Sequence, residues 1–246
     1  MDRQYGPGKV VAAVKRQPLG GRPFMCNIVV LLAYALLIQP GPMTKPLPGM
    51  WSASGAYLWP GATVFDNFPE HGRAITLRSP DSSVTLAVDD TGITVRIAHH
   101  SGYVTRRLGI QSLSEVLWAP DSHAFAVTQS DGGWVGTWYV EVYLISDTSL
   151  QRAKVTDRAF EDFSRRKVTR KRPCEVEAPN LGALTWSQSS KRLLIIAEAP
   201  PHSSCCDMGR IHGYMVDVPT GTIIARYSLT DLVKLYQAKF GWRFAP

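Results

Sequence analysis

The sequence predicts an all-β protein built from three consecutive four-stranded antiparallel meanders, followed by a C-terminal α-helix. A strand–turn–strand pattern recurs three times along the 246 residues, and the seven Trp and nine Tyr are residue types that pack well in strands. Hydrophobic residues make up 45% of the chain and charged residues 19%, as in a globular protein that buries a core. A β-sandwich is the alternative fold with similar strand content.

Residues 1–50 are predicted to be a targeting segment and a linker. Lys15, Arg16 and Arg22 precede the apolar run Met25–Ile38, which at fourteen residues is short for a membrane span but has the length of a signal-peptide core. We therefore expect a periplasmic or secreted protein. In the alternative, the run stays uncleaved and anchors the chain in the inner membrane, and this is the only membrane contact that the sequence predicts.

Three stretches of the following domain, residues 51–228, align without gaps. They are residues 77–88 (LRSPDSSVTLAV), 117–128 (LWAPDSHAFAVT) and 185–196 (TWSQSSKRLLII). The first two begin 40 residues apart and the last two 68 apart, an offset that an insertion of about 28 residues explains. Pro80 and Pro120 preset φ for a type I turn, so each stretch reads as a strand, a tight polar turn and a second strand.

Two further strands follow each stretch. They are predicted at residues 93–98 and 103–108, at 138–145 and 152–155, and at 211–218 and 222–227. The resulting units, at about residues 73–110, 113–156 and 181–228, have the period of β-propeller blades. Since closed propellers have at least four blades, the sequence predicts a partial, three-bladed array that is either open or completed by a homodimer.

The turns also resemble those of a known family. Trp118-Ala-Pro-Asp-Ser and Trp186-Ser-Gln-Ser-Ser are similar to the W-S-P-D-G turn of TolB-type (WD-like) β-propeller repeats. The resemblance covers about residues 73–228 and implies the propeller fold, but it is nearly silent on function. Arg78 replaces the Trp in the first unit, and Ser82 and Ser122 stand where the family has Gly.

Positive charge is concentrated in the insertion at residues 152–180. The formal net charge is +7, yet residues 152–173 alone carry nine Lys or Arg against three Asp or Glu. The insertion therefore predicts a binding face for an anionic or protein partner of the envelope, and export argues against nucleic acid. The candidate binding residues in it are Arg165, Arg166, Lys167, Arg170, Lys171 and Arg172. The alternative is a solvated, partly helical loop whose Phe160 and Phe163 pack on the neighbouring unit.

Two other connections are expected on the same face as the insertion. In a meander, alternate connections lie at opposite ends of the sheet, so loops between second and third strands share an end with connections between units. This places the loop at residues 130–136, with Trp134, and the loop at residues 199–210, with His202, beside the insertion.

Cysteine positions agree with this placement. Cys174 lies in the insertion and Cys205 and Cys206 lie in the loop at residues 199–210, which predicts a disulfide between Cys174 and one of the other two. The alternative is a zinc or copper site formed by His202, Cys205, Cys206 and His212, with Met208 nearby. Because this spacing matches no standard metal-binding motif, the disulfide is favoured and no cofactor is expected.

The C-terminal segment, residues 229–246, predicts a helix. Ser228 and Asp231 form a capping box, and an apolar stripe is predicted to dock on the last unit until Gly241 ends the helix. The members of the stripe are Leu229, Leu232, Val233, Tyr236 and Phe240.

Catalytic motifs are missing from the sequence. It contains no G-x-S-x-G, P-loop, G-x-G-x-x-G or H-E-x-x-H pattern. We therefore expect a binding or assembly module that is not an enzyme. The alternative function is a metal-binding or metal-dependent redox protein centred on His202, Cys205, Cys206 and His212.

Overall fold

A computed structural model describes residues 47–58, 75–89, 92–99, 102–111, 113–130, 137–165, 178–200 and 208–244. These residues belong to one compact unit, Pro42–Pro246. The first ten strands are β1 (Leu47–Pro48), β2 (Ala56–Leu58), β3 (Ile75–Arg78), β4 (Val84–Asp89), β5 (Gly92–His99), β6 (Gly102–Leu108), β7 (Leu113–Trp118), β8 (Ala124–Ser130), β9 (Trp138–Ile145) and β10 (Leu150–Ala153). They are followed by α1 (Asp157–Arg165), β11 (Asn180–Trp186), β12 (Arg192–Glu198), β13 (Ile211–Asp217), β14 (Thr222–Ser228) and α2 (Leu229–Tyr236).

The strands form three antiparallel sheets that follow one another along the chain. Sheet 1 has the order β3-β4-β5-β6 and sheet 3 the order β11-β12-β13-β14. Sheet 2 contains the meander β7-β8-β9-β10 and is extended by β2 and β1 on the side of β7. The predicted all-β class, with three four-stranded meanders and a C-terminal helix, is confirmed. The sequence did not predict that β7 has β2 as a further neighbour.

One strand of sheet 2 lies two residues earlier than predicted. The fourth strand was expected at residues 152–155, but β10 spans Leu150–Ala153 and pairs Leu150 with Ile145. The reason is a tight turn in which the Ser146 N–H donates to the Ser149 carbonyl at 2.9 Å, so that pairing resumes at once.

The three polar turns share one backbone conformation. Ser82, Ser122 and Ser190 have φ values of 64°, 65° and 58°, in the left-handed region that favours glycine. The third turn lacks the Pro and Asp of the other two and still adopts this conformation. The turns are also bonded in series, because the Asp81 N–H donates to Ser122 Oγ at 3.1 Å and the Asp121 N–H donates to Ser190 Oγ at 3.0 Å.

Apolar side chains fill the space between successive sheets. Sheets 1 and 2 pack through a cluster that includes Leu86, Val95 and Phe125. Sheets 2 and 3 pack through a second cluster, to which α1 contributes Phe163. A third cluster covers the other face of sheet 3, where Leu232 of α2 is fully buried.

The C-terminal helix docks on sheet 3 in part as predicted. The capping box between Ser228 and Asp231 is present, and Leu232 is buried. The prediction is wrong for Leu229 and Val233, which are 46% and 42% exposed. It is also wrong for the end of the helix, because α2 stops at Tyr236 and 3-10 turns follow at Gln237–Lys239 and Trp242–Phe244.

Candidate functional site

Helix α1 forms the first part of the basic insertion and lies against sheet 3. Its Phe163 is buried, whereas Phe160 is partly exposed. The Asp162 carboxylate pairs with Arg226 of β14 at 3.0 Å, and Arg158 Nη1 donates to Thr222 Oγ1 at 3.1 Å. These contacts fix the position of the helix on sheet 3.

The end of α1 meets the end of the loop at residues 199–210. The Arg210 guanidinium lies over the Phe163 ring, 4.0 Å from the ring centroid, and its Nη2 donates to the Phe163 carbonyl at 3.3 Å. The His212 ring also lies edge-on to Phe163, with centroids 5.9 Å apart. These contacts bring the insertion and this loop together.

The third connection, at residues 130–136, ends beside the close of the insertion. Trp138 begins β9 directly after that loop, and its N–H donates to Asn180 Oδ1 at 3.1 Å. Asn180 is the first residue of β11, where the insertion ends, and it is buried. The helix at the start of the insertion therefore contacts the end of the loop at residues 199–210, and the end of the insertion contacts the residue that follows the loop at residues 130–136.

Most of the residues predicted for the binding face, the disulfide or the alternative metal site lie outside the described residues. These are Trp134, Arg166, Lys167, Arg170, Lys171, Arg172, Cys174, His202, Cys205 and Cys206. Arg165 is described, is exposed, and pairs with Glu161 one turn earlier at 2.8 Å. His212 is described at the start of β13, and Met208 is exposed. Within the described ranges, no group of three or more His, Cys, Asp or Glu side chains is placed to hold a metal ion.

A largely buried ion pair at the same end of sheet 3 was missed by sequence reasoning. Glu198 Oε2 lies 2.6 Å from Arg243 Nη2, and the Arg243 guanidinium also lies over the Trp51 ring at 4.8 Å. Glu198 ends β12, just before the loop at residues 199–210. The sequence does not predict this contact, because Glu198 and Arg243 are 45 residues apart. The loop at residues 199–210, β13, β14 and α2 all lie between them in the chain.

A polar network holds the connection between sheets 1 and 2. Glu141 accepts hydrogen bonds from Tyr143 at 2.6 Å and Gln129 at 3.2 Å, and it pairs with Arg152 at 2.8 Å. Gln129 Oε1 in turn accepts the Gln111 N–H at 3.0 Å. Burial and the hydrogen bond to Glu141 raise the pKa of Tyr143 well above its ordinary range. The network satisfies polar groups at a junction between sheets and therefore has a structural role.

Glu115 is a buried carboxylate that sequence reasoning also missed. Glu115 belongs to β7 and is 1% exposed. Its carboxylate accepts hydrogen bonds from three backbone N–H groups, those of Met50 at 2.6 Å, Trp51 at 2.8 Å and Ser52 at 2.9 Å. Burial raises the pKa of Glu115 to about 7, against the opposing effect of these three donors. Burial and the neighbouring Glu115 charge raise the pKa of Tyr57 to about 12. The one feature of the sequence that could have predicted this buried carboxylate is a single Glu within the mostly apolar strand LSEVLW.

Comparison with protein-family models, curated proteins and solved structures finds no significant match to this chain. Within the described ranges, neither α-helix has the length and hydrophobicity that crossing a membrane requires.

Proposed function

We propose that this chain is an exported binding or assembly module that contacts an anionic or protein partner with the end of sheets 2 and 3 where the basic insertion meets two loops. The observation that supports it best is that the insertion contacts both loops at their described ends. Phe163 of the insertion contacts Arg210, and Asn180 at its end contacts Trp138. Loops that converge on a sheet scaffold are where binding residues concentrate in many folds.

Charge supports an anionic partner. Arg226 is paired with Asp162 and Arg243 with Glu198, so these cations of sheet 3 and the tail already have acidic neighbours. Arg165 likewise pairs with Glu161. The charge of the insertion that has no acidic residue next to it in the sequence is therefore the segment 166–172, which carries five Lys or Arg and no Asp or Glu. Such a run attracts anionic lipid headgroups, acidic glycans or acidic protein surfaces.

The finer architecture proposed with this function is an open, three-bladed β-propeller. The support is that the same turn hydroxyl bonds each sheet to the preceding one, at Ser122 and again at Ser190. A two-layer β-sandwich offers no reason for one turn bond to recur between sheets 1 and 2 and between sheets 2 and 3.

Charge removal tests the binding face. Replacing Arg165, Arg166, Lys167, Arg170, Lys171 and Arg172 with Ser should weaken co-sedimentation with phosphatidylglycerol vesicles, and recovery of partners from envelope extract, by roughly tenfold or more, because each cation near an anionic surface contributes about 1 kcal/mol at most. The matched control removes six exposed cations elsewhere, at Arg78, Arg96, Arg106, Lys191, Arg192 and Lys234. Equal losses in both variants, or no loss in either, would contradict the proposal.

Thiol titration separates this function from the metal-binding alternative. With a disulfide from Cys174 to Cys205 or Cys206, the mature chain should show one free thiol before reduction and three after it. The loop that this bond closes has roughly 30 residues, so reduction should lower the free energy of unfolding by about 3–4 kcal/mol. Three free thiols together with stoichiometric zinc or copper would instead favour a metal site at His202, Cys205, Cys206 and His212.

A further inference from the structure

Two segments from distant parts of the chain cross over Glu115. The strap, residues 49–55, donates its N–H groups at Met50, Trp51 and Ser52 to the Glu115 carboxylate. The tail, residues 239–244, binds the other side of the strap: Gly241 N–H donates to Trp51 O at 2.9 Å, Arg243 N–H to Met50 O at 3.1 Å and Trp242 N–H to Gly49 O at 3.2 Å. The carboxylate therefore holds the strap, and the strap holds the tail.

Close packing makes the strap and the tail one unit. A Cβ added at Gly55 would overlap the Glu115 carboxylate, and one added at Gly241 would overlap backbone atoms of Gly49 and Met50. The fully buried Trp51 ring rests on Gly182 of β11, where a Cβ would overlap the ring. Neither segment can shift by much unless the other moves with it, because the contacts leave no free space.

The Glu115 carboxylate is buried without a cation. None of the ion pairs between described residues includes it. Its cross-strand neighbours are Tyr57 on β2 and the uncharged Thr128 on β8, and the strap has no titratable residue. The Arg243 charge from the tail is shared with Glu198. An ionised carboxylate here has the three N–H donors of the strap but no ion-pair partner among the described residues, and this burial is costly compared with solvation in water.

We propose that the strap and the tail form a latch over Glu115 that opens more readily when the carboxylate is ionised, because opening returns the charge to water. The tail continues from α2, so opening loosens the cover on the outer face of sheet 3. That face carries Leu184, Leu194 and Ile196, which are fully buried when the latch is closed. The contacts of the latch with the binding end of sheets 2 and 3 are those of Arg243 with Glu198 and of Trp51 with Trp138.

The direction of the pH dependence follows from linkage. Burial raises the pKa of Glu115 to about 7 in the closed latch, whereas a solvated Glu has its ordinary value of 4.5. The closed latch binds the proton more tightly, so its advantage is full below the ordinary value and is lost as the pH rises through about 7. The opening equilibrium should increase by roughly a hundredfold across this range.

Fluorine NMR of 5-fluorotryptophan-labelled full-length protein tests the latch. Contact of Trp51 with solvent is measured as the relaxation enhancement caused by a neutral, soluble nitroxide between pH 5 and pH 8.5, with assignment by Trp51→Phe. We expect the enhancement at Trp51 to rise with a midpoint near pH 7. Trp186 is the internal control, since it is buried between sheets 2 and 3 and donates to the Leu117 carbonyl at 3.1 Å.

A neutral variant identifies the titrating group. In Glu115→Gln the amide cannot ionise, so the enhancement at Trp51 should no longer change with pH. If that variant does not fold, the wild-type comparison of Trp51 with Trp186 decides. A Trp51 signal that stays as protected at pH 8.5 as at pH 5, or that rises together with Trp186, would overturn the proposal.

Discussion

Three serines in equivalent turns show how one side chain can have two roles. Each adopts a positive φ, which costs a residue other than glycine roughly 1 kcal/mol or more. At Ser122 and Ser190 the hydroxyl compensates by accepting a backbone N–H from the turn of the preceding sheet. Ser82 lies in the first of the three turns, and its residue is exposed. At these two positions serine therefore has a less favourable backbone conformation than glycine would have, but it adds a hydrogen bond between sheets.

Substitutions at Ser122 and Ser82 separate these two effects. Ser122→Ala keeps the backbone cost and loses the bond, so it should reduce the free energy of unfolding by about 1 kcal/mol. Ser122→Gly loses the bond but relieves the backbone, and the net change should be within about 0.5 kcal/mol. Denaturant unfolding measures each change.

Ser82→Gly is the matched control. It relieves the backbone at a turn that follows no earlier sheet, and should therefore stabilise the protein by about 0.5–1 kcal/mol. Equal effects of the two glycine substitutions would mean that the hydroxyl of Ser122 contributes nothing between sheets 1 and 2.

At the scale of elements, α2 owes its position to one deeply buried side chain and to the strap. The helix has two turns, too few to be stable alone, and it is held by its capping box, by Leu232 and by the tail that follows it. The sequence predicted the cap because its residues are adjacent in the chain. It placed Leu229 and Val233 on the docked face because helical spacing does not reveal how wide the covering surface is.

Truncation of Leu232 should loosen the cover of sheet 3. Leu232→Ala is expected to lower the free energy of unfolding by about 2–4 kcal/mol, because the side chain is fully buried and leaves a cavity. Leu235→Ala, in the same helix but 59% exposed, should change it by less than about 0.5 kcal/mol. Thermal and denaturant unfolding measure both, and similar losses would show that α2 does not dock through Leu232.

At the scale of the whole molecule, the two ends of the row of sheets differ from its interior. The outward face of sheet 1 carries the cross-strand row Arg78, Thr85, Arg96 and Thr105, which is polar, whereas the faces between sheets are apolar. The outward face of sheet 3 is apolar but is covered by α2, the strap and the tail. Polar or covered end faces are what terminal repeats need for solubility.

These end faces bear on the alternative in which a homodimer completes the propeller. Completion of a propeller by a second copy would require a packed interface at each end of the row. The helix α2 exposes Leu229, Val233 and Leu235 at the sheet 3 end, but the outward face of sheet 1 is the polar row described above and offers no apolar partner surface. We therefore expect light scattering at neutral pH to give the mass of one chain. A stable two-chain mass that Arg78→Asp with Arg96→Asp abolishes would show instead that sheet 1 is a dimer interface.

The sequence by itself determined the sheets and the helix cap, because alternating strands, turns and capping boxes arise from neighbouring residues. The repeat also allowed the third turn to be recognised without its Pro and Asp. Only the tertiary structure decided the pairing of β2 with β7, the burial of Glu115 beneath the strap and the contact of Arg243 with Glu198. Each of these contacts joins residues that are tens of positions apart in the chain. The periodicity of a sequence predicts local strands and turns, but it does not predict which distant segment will pack against a buried charge.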